Sequence, residues 1–355
     1  MTEKLTGEEL SKQVKSGEFF HGKDFSGMDY SGTDLSGGIF IETCFDNCNF
    51  SNAFLKEATF SDCSMENLCF SNANLNETNF IKCKLGKADF KSIVFNYIKF
   101  IESDLKAADF TDSHLKNMCV FTSINLKGAL FTRANLKTSA FNSCKMQSVD
   151  FTQSDLEKAL FFDCEFENNI FTDSKINLSL FHGAKFEATN FSNMDLTQVQ
   201  FHNSTLKECD FSKTQLRQGG FMWANMEKSR FDNTCLEYAN FFEAELAGSS
   251  FKSANMKMAS MQNAILTDCD FSSADLNRAQ MEGIKAENSI FKGADLIFAD
   301  LSHANVNNSD FSDSNLYLTN LHGIQDNNTK WQGSKKSLAR GTDATRLKSE
   351  QWGKK

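Results

Sequence analysis

His182 and His202 are the imidazoles whose spacing could do chemistry. They stand 20 residues apart and directly follow Phe181 and Phe201. Two imidazoles brought close can share a metal ion, but a stable site takes three or four ligands. Neighbouring Gly183 and Asn203 add no strong donor, so the pair reads as a surface histidine ladder without a metal. The 11 cysteines include no Cys-x-x-Cys pair and no metal-ligand cluster. No glycine-rich phosphate loop, nucleophile elbow or His-Glu-x-x-His motif occurs. Thr132, Thr152, Thr172, Ser192 and Ser212 each follow a large apolar residue. That rhythm suits hydrogen-bonded ladders at turns better than nucleophiles. The sequence therefore predicts neither a catalytic centre nor a cofactor.

What must position these residues is a period of five. Phe201, Leu206, Phe211, Leu216 and Phe221 carry it, with Val199, Ser204, Cys209, Thr214 and Gly219 two places before them. Such a period fits neither an amphipathic helix nor an alternating strand. It points to a repeat architecture whose units bury a core only by stacking on their neighbours. The pattern runs from Phe20 to Leu115, takes up one extra residue near Met118, Cys119 and Val120, and runs again from Phe121 to Leu321. Of the 36 phenylalanines, 31 fall on its central positions, so the aromatic content belongs to the core. Cys48, Cys63, Cys83, Cys144, Cys164, Cys209 and Cys269 occupy the small-residue slot and read as buried, reduced thiols. Ile93 and Ile98 overfill that slot, and Ala286 underfills a central position. A local distortion over residues 91–121, without a long loop, and a void or pinch at Ala286 are expected.

Ala134-Asn135-Leu136, Ala274-Asp275-Leu276 and Ala294-Asp295-Leu296 are good copies of the unit A-(D/N)-L-x-x. On these the chain resembles the pentapeptide repeat family over residues 19–323. The resemblance implies an all-β fold, a right-handed quadrilateral β-helix with four pentapeptides per coil. The central residue and the one two places before it point inward, and the other three point outward. It separates a short N-terminal capping helix at 1–18 from the β-helix at 19–323 and a C-terminal cap with a basic tail at 324–355. About 15 coils at roughly 4.8 Å per stacked strand would run for ~70 Å.

With four units per coil, residues 20 apart share a face. Phe162, His182, His202, Met222 and Phe242 then form one outward column. Leu160, Leu180 and Trp223 flank it, and Ile41, Ile81 and Ile101 continue it if the extra residue is absorbed locally. A linear apolar stripe on an otherwise polar surface marks a contact with a protein partner or a second copy, a homodimer. On the opposite face Asp89, Asp109, Asp150, Asp210, Asp270 and Asp310 precede central residues. The resemblance offers a second role for these, since family members that protect DNA gyrase are thought to mimic duplex DNA through acidic faces. The net charge is −9, with +5 in residues 324–355 and hence −14 in the remainder. Spread over the β-helix that is about one charge per 5 Å, against about one per 1.7 Å for duplex DNA, which counts against mimicry.

Both ends carry signals of their own. Thr6 and Glu9 form a capping-box pattern, Leu5 and Leu10 a staple, Leu10 and Val14 a shared face, and Gly17 a stop. Trp331 is still in register and would close the last coil. Residues 342–352 suit a short helix anchored by Leu347 and stopped by Gly353, in a tail that reads as a frayed cap or disordered segment, or else as a docking peptide or dimerisation element. The acidic balance argues against direct nucleic-acid binding. The polar N-terminus and the lack of a long apolar run argue against a membrane and for a cytoplasmic protein. By resemblance alone, members with a leading helix also occur beside bacterial secretion systems, which implies export without a signal peptide. The reading is a non-enzymatic protein–protein interaction scaffold. The alternatives are a DNA-mimicking modulator of gyrase or topoisomerase, and a secretion-system effector or accessory protein.

Overall fold

In the computed structural model, residues 4–352 are described. Residues 1–3 of the expected cap and Gly353, the expected helix stop, lie outside them. The chain divides into two compact units, Met1–Leu180 and Phe181–Lys355.

One pentapeptide explains the architecture. Phe271 and Ala274 are buried, Ser273 is exposed, and the N–H of Ala274 donates to the Phe271 carbonyl at 3.0 Å. Ser273, between them, has φ +58°. This left-handed corner turns the chain so that the central residue and the next small residue both face inward. The N–H of Phe271 then reaches the Ile290 carbonyl in the following coil at 2.7 Å, and that of Asp275 reaches the Ala254 carbonyl in the preceding one at 2.9 Å. Four such sides make a coil: in the second unit Asp210, Gln215, Gly220 and Asn225 each pair in parallel with the residue 20 further on. The fold is a four-sided parallel β-helix.

In the first unit, helix α1 (Gly7–Lys15) opens on the expected capping box. The Thr6 hydroxyl accepts the Glu9 N–H, and the Glu9 carboxylate accepts the Thr6 N–H at 2.8 Å. Leu10 and Val14 are buried, and Gly17 ends the turn at φ +85°. One side of the unit is a row of parallel strands that places Phe20, Phe40, Phe60, Phe80, Phe100, Phe121, Phe141 and Phe161 in register. The extra residue falls where Phe100 pairs with Phe121. Asn117 and Met118 both take φ +53°, Met118 is 72% exposed, and Cys119 returns to the core. Ile93 and Ile98 are buried beside strand Val94–Asn96, which pairs with His114–Lys116. The distortion is thus a one-residue bulge, with the ladder resuming at Val120, whose N–H donates to the Ile98 carbonyl at 3.1 Å.

The second unit shows the aromatic core most regularly. Phe191, Phe211, Phe231, Phe251, Phe271, Phe291 and Phe311 stack ring on ring at 4.5–5.0 Å, with interplanar angles of 13° or less. A second column meets it edge to face, as at Phe221 and Phe231 (6.1 Å, 84°). These are the two arrangements the ring quadrupole favours. All 11 cysteines are free, and the seven in small slots are buried. At Ala286 the ladder does not break, because Lys285 bridges both Ile265 and Asn305. The small slot of that pentapeptide holds Ile284, and both residues are fully buried. The missing bulk at one inward position is matched by extra bulk at the other.

The ladder continues beyond residue 323, with Asn305 paired to Gln325, Asp310 to Lys330 and Asn320 to Arg340. Trp331 extends the phenylalanine stack, 4.7 Å from Phe311. Helix α2 (Ala344–Trp352) follows, its first turn capped by the Asp343 carboxylate, which accepts the N–H groups of Thr345 and Arg346. Leu347 is half-buried. Among the described residues no helix is long and apolar enough to cross a membrane.

The paired volumes at Ile284 and Ala286 give a direct test by chemical denaturation. Ala286→Leu alone overpacks the coil and should cost about 1–3 kcal/mol. Combining it with Ile284→Ala should recover at least about 1 kcal/mol of that loss, a coupling between contacting residues.

Candidate functional site

Three of every five residues in a unit face outward and two face the core, so any site is a surface column. The aspartate column is built into the turns. The backbone N–H two residues on donates to the side chains of Asp89, Asp109, Asp150, Asp210, Asp270 and Asp310 at 2.8–3.1 Å. Asn49 and Asn125 accept the same bond elsewhere, so the position selects a turn-capping side chain rather than a charge. Cations then offset much of the charge: Lys91 sits 3.1 Å from Asp109, Lys252 3.1 Å from Asp270, and Arg230 3.9 Å from Asp210. The side chain and then the backbone N–H of Ser312 hold the Asp310 carboxyl below the usual carboxylate range.

The apolar stripe is distributed over both units. In the first, Leu160 and Phe162 lie in the strand that pairs with Ala140–Asn142, and Leu180 donates its N–H to the Ala159 carbonyl at 3.0 Å. Ile41, Ser61, Ile81, Ile101, Thr122, Asn142 and Phe162 share one column there. Ser61, Thr122 and Asn142 interrupt its apolar character. In the second unit His182, His202, Met222 and Phe242 occupy successive coils, linked by bonds from Gly183 to His202, Asn203 to Met222 and Trp223 to Phe242. All four are half-buried rather than projecting. Gly220 makes room for this packing: a Cβ there would collide with Gln200 and with His202 Nε2. Burial, and secondly the charge of His182, lower the His202 pKa and favour its neutral form. Trp223 is the exposed member, at 48%. Its ring stands edge-on to Phe242 at 6.2 Å, and its indole N–H donates to Glu243 at 3.1 Å.

A more exposed column lies on a corner of the second unit and escaped the sequence reading. Tyr238, Met258, Arg278, Phe298 and Leu318 follow one another at 20-residue steps, all in the left-handed conformation with φ between +55° and +60°. Tyr238, Met258 and Phe298 are 45%, 44% and 43% exposed. The Arg217 guanidinium lies 5.6 Å over the Tyr238 ring and that of Arg278 5.5 Å over Phe298. Tyr317 stands edge-on to Phe298 at 6.0 Å. On other corners the equivalent position carries Asn233, Asn263, Asn288 and Asn308, residues that tolerate positive φ at little cost. Phe298 was visible as one of the few phenylalanines off the repeat centre, but the corner column shows only when every second outward position is aligned at 20-residue steps.

Comparison with known proteins bears on the repeat itself. The family description "Pentapeptide repeat region" matches residues 39–118, 93–171 and 134–211, and "Pentapeptide repeats (8 copies)" matches 20–52, 254–293 and 294–325. No curated protein sequence matches the chain. Among solved structures, HetL, a pentapeptide repeat protein involved in heterocyst differentiation regulation in Nostoc sp. strain PCC 7120, is 17% identical. The match covers 93% of this chain and 96% of HetL, with a TM-score of 0.18. QnrB1, a plasmid-mediated fluoroquinolone resistance protein, is 17% identical over 59% of this chain and 99% of its own, with a TM-score of 0.22. A thylakoid-lumen pentapeptide repeat protein of Arabidopsis thaliana is 24% identical over 36% of this chain and 68% of its own, with a TM-score of 0.20. The matched stretches fall on the coils whose inward and outward positions are described above, and the chain belongs to the pentapeptide repeat family.

Proposed function

We propose that the protein is a non-enzymatic scaffold that binds a protein partner through the outward columns of its second unit. The observation that carries this reading is the corner column. Tyr238, Met258, Phe298 and Leu318 hold a backbone conformation that costs large L-residues of order 1–3 kcal/mol each. They also leave aromatic and thioether surface in water. Neither the turn nor the core requires them, since asparagine fills the equivalent position on other corners, at Asn233, Asn263 and Asn308, and glutamine fills it on this corner at Gln198 and Gln218. Strain and exposed apolar area at one place are what a contact surface would retain. Arginines stacked on the rings suit a partner that presents carboxylates beside apolar side chains, because Arg and aromatic residues dominate the energetics of such contacts. Trp223 and Phe242 extend the surface on the adjoining stripe, with Met222 and His202 as its half-buried floor. The contribution of Leu160, Phe162 and Leu180 in the first unit is proposed on the stripe alone. The engagement of the aspartates in turns and lysine pairs supports this reading over a DNA-mimicking modulator.

The test is co-purification from cell extract, read by mass spectrometry, with four baits: wild type, Tyr238→Glu/Phe298→Glu, Trp223→Glu/Phe242→Glu, and Asp210→Asn/Asp270→Asn/Asp310→Asn. The scaffold reading expects a partner, or a second copy of the chain, to be lost from the corner variant and retained by the asparagine variant. Retention of a topoisomerase by both apolar variants, with loss from the asparagine variant, would install the DNA-mimicking role instead. Export of the tagged protein into the medium would indicate the secretion-linked role. The asparagine variant should unfold at the same denaturant midpoint as wild type, since asparagine caps the same turn at Asn49 and Asn125.

Strain at the corner is measurable separately. Met258→Asn should stabilise the fold by about 0.5–1 kcal/mol, because asparagine adopts the left-handed region readily. Unchanged or reduced stability in thermal or chemical denaturation would show that the corner is not strained.

A further inference from the structure

The polar cluster under helix α2 is assembled from three separate stretches of the second unit. His303 and His322 project from successive coils, with ring centroids 5.2 Å apart and planes at 88°. Glu350, in the last turn of α2, places Oε2 3.2 Å from the Nε2 of each. Among the described residues these are the one group of three metal-ligating side chains whose donor atoms all lie within 4.8 Å of one another. His322 is almost wholly buried, its side chain 3% exposed.

We propose that His303, His322 and Glu350 form a site for a divalent transition metal of the zinc class, which pins α2 to the last coils. Two imidazoles and one carboxylate are the donor set of zinc sites that keep a fourth position for water. Tetrahedral bonds of about 2.0–2.2 Å place ligand atoms roughly 3.3–3.6 Å apart, close to the two N···O separations found here. Arg346 donates its Nε–H to the other carboxylate oxygen, Oε1, at 2.7 Å. That bond occupies Oε1 and leaves Oε2 facing the two imidazoles. The adjoining cavity, of about 540 Å³ and lined by Glu282, Gln325 and Arg346, has room for the water. The guanidinium charge works against a dication, so the site is built for moderate affinity.

The outer contacts of His322 make the site distinctive. The backbone N–H of Asp343 donates to His322 Nδ1 at 3.1 Å. In the metal-free chain the ring proton therefore sits on Nε2, which donates to Glu350. A metal taking Nε2 displaces that proton to Nδ1, and the Asp343 N–H must then turn away, because two N–H groups cannot share a bond. Metal binding is thereby tied to the entry of α2: the helix gains a metal link at Glu350 and loses a backbone link at Asp343.

The experiment uses the full chain, reduced and stripped with chelator, and zinc chloride as the probe. Calorimetry should show one zinc per chain, weakened at least about tenfold in His303→Ala and in Glu350→Gln, two partly exposed positions whose variants are checked for fold by circular dichroism. Amide hydrogen exchange at Asp343 should quicken in wild type when zinc is added. No saturable binding, binding that either variant retains in full, or exchange at Asp343 that zinc leaves unchanged would each overturn the proposal. Retention in the variants would place the ion on thiols or on His182 and His202.

Discussion

Every coil depends on hydrogen bonds to the coil before it and the coil after it. The N–H of Phe251 donates to the Asp270 carbonyl in the next coil at 2.7 Å, while that of Asn255 donates to the Thr234 carbonyl in the preceding one at 2.9 Å. Because the two directions alternate around the coil, no coil satisfies its own backbone. A buried unpaired amide costs about as much as a lost hydrogen bond, so the ladder fixes the register of neighbours. The stacked rings follow from that register: parallel strands about 4.8 Å apart hold phenylalanines at nearly the spacing at which rings attract. Phe231 and Phe251, 4.8 Å apart with planes 2° from parallel, show how closely the two requirements agree.

That constraint explains where the chain has freedom. The inward positions must supply constant volume, and the Ile284–Ala286 exchange shows that the sum over a unit matters more than either residue. One inserted residue at Met118 is tolerated because it sits outside the ladder, at a corner, with Cys119 restored to the core. The position before the centre must cap a turn, which asparagine and aspartate do alike. The corner must accept positive φ, for which asparagine and glycine are best suited. Tyr238, Met258 and Phe298 adopt that positive φ, but none of these demands calls for their large, exposed apolar side chains.

The core was legible in the sequence because its requirement is local and repeats without interruption; Phe20 to Leu321 could be assigned residue by residue, and so could the Thr6–Glu9 cap. The outward columns were legible only in part. The column of His182, His202, Met222 and Phe242 followed from the 20-residue coil, but its half-burial did not, since that comes from side chains of adjacent coils packing on one another, with Gly220 admitting His202. The corner column obeyed the same arithmetic, but it mixes Tyr238, Met258, Arg278, Phe298 and Leu318, so no single residue type marks it. The cluster at α2 had no periodic signal at all. His303 and His322 are 19 residues apart, at different positions of their units, and Glu350 comes from a helix outside the repeat.

These differences sort the surface by cause. Aspartates at the turns recur because the fold needs an acceptor there, and their number says little about a partner; Asp109 and Asp270 each also have a lysine at 3.1 Å. A residue type that recurs with the repeat is therefore weak evidence of function in such a protein, however conspicuous it is in the sequence. The informative residues are those that break the rule of their own position. Phe298 occupies a corner that favours asparagine, with Arg278 and Tyr317 gathered around its ring. On a scaffold whose periodic positions are dictated by backbone pairing, it is at such departures that recognition can be encoded without disturbing the ladder.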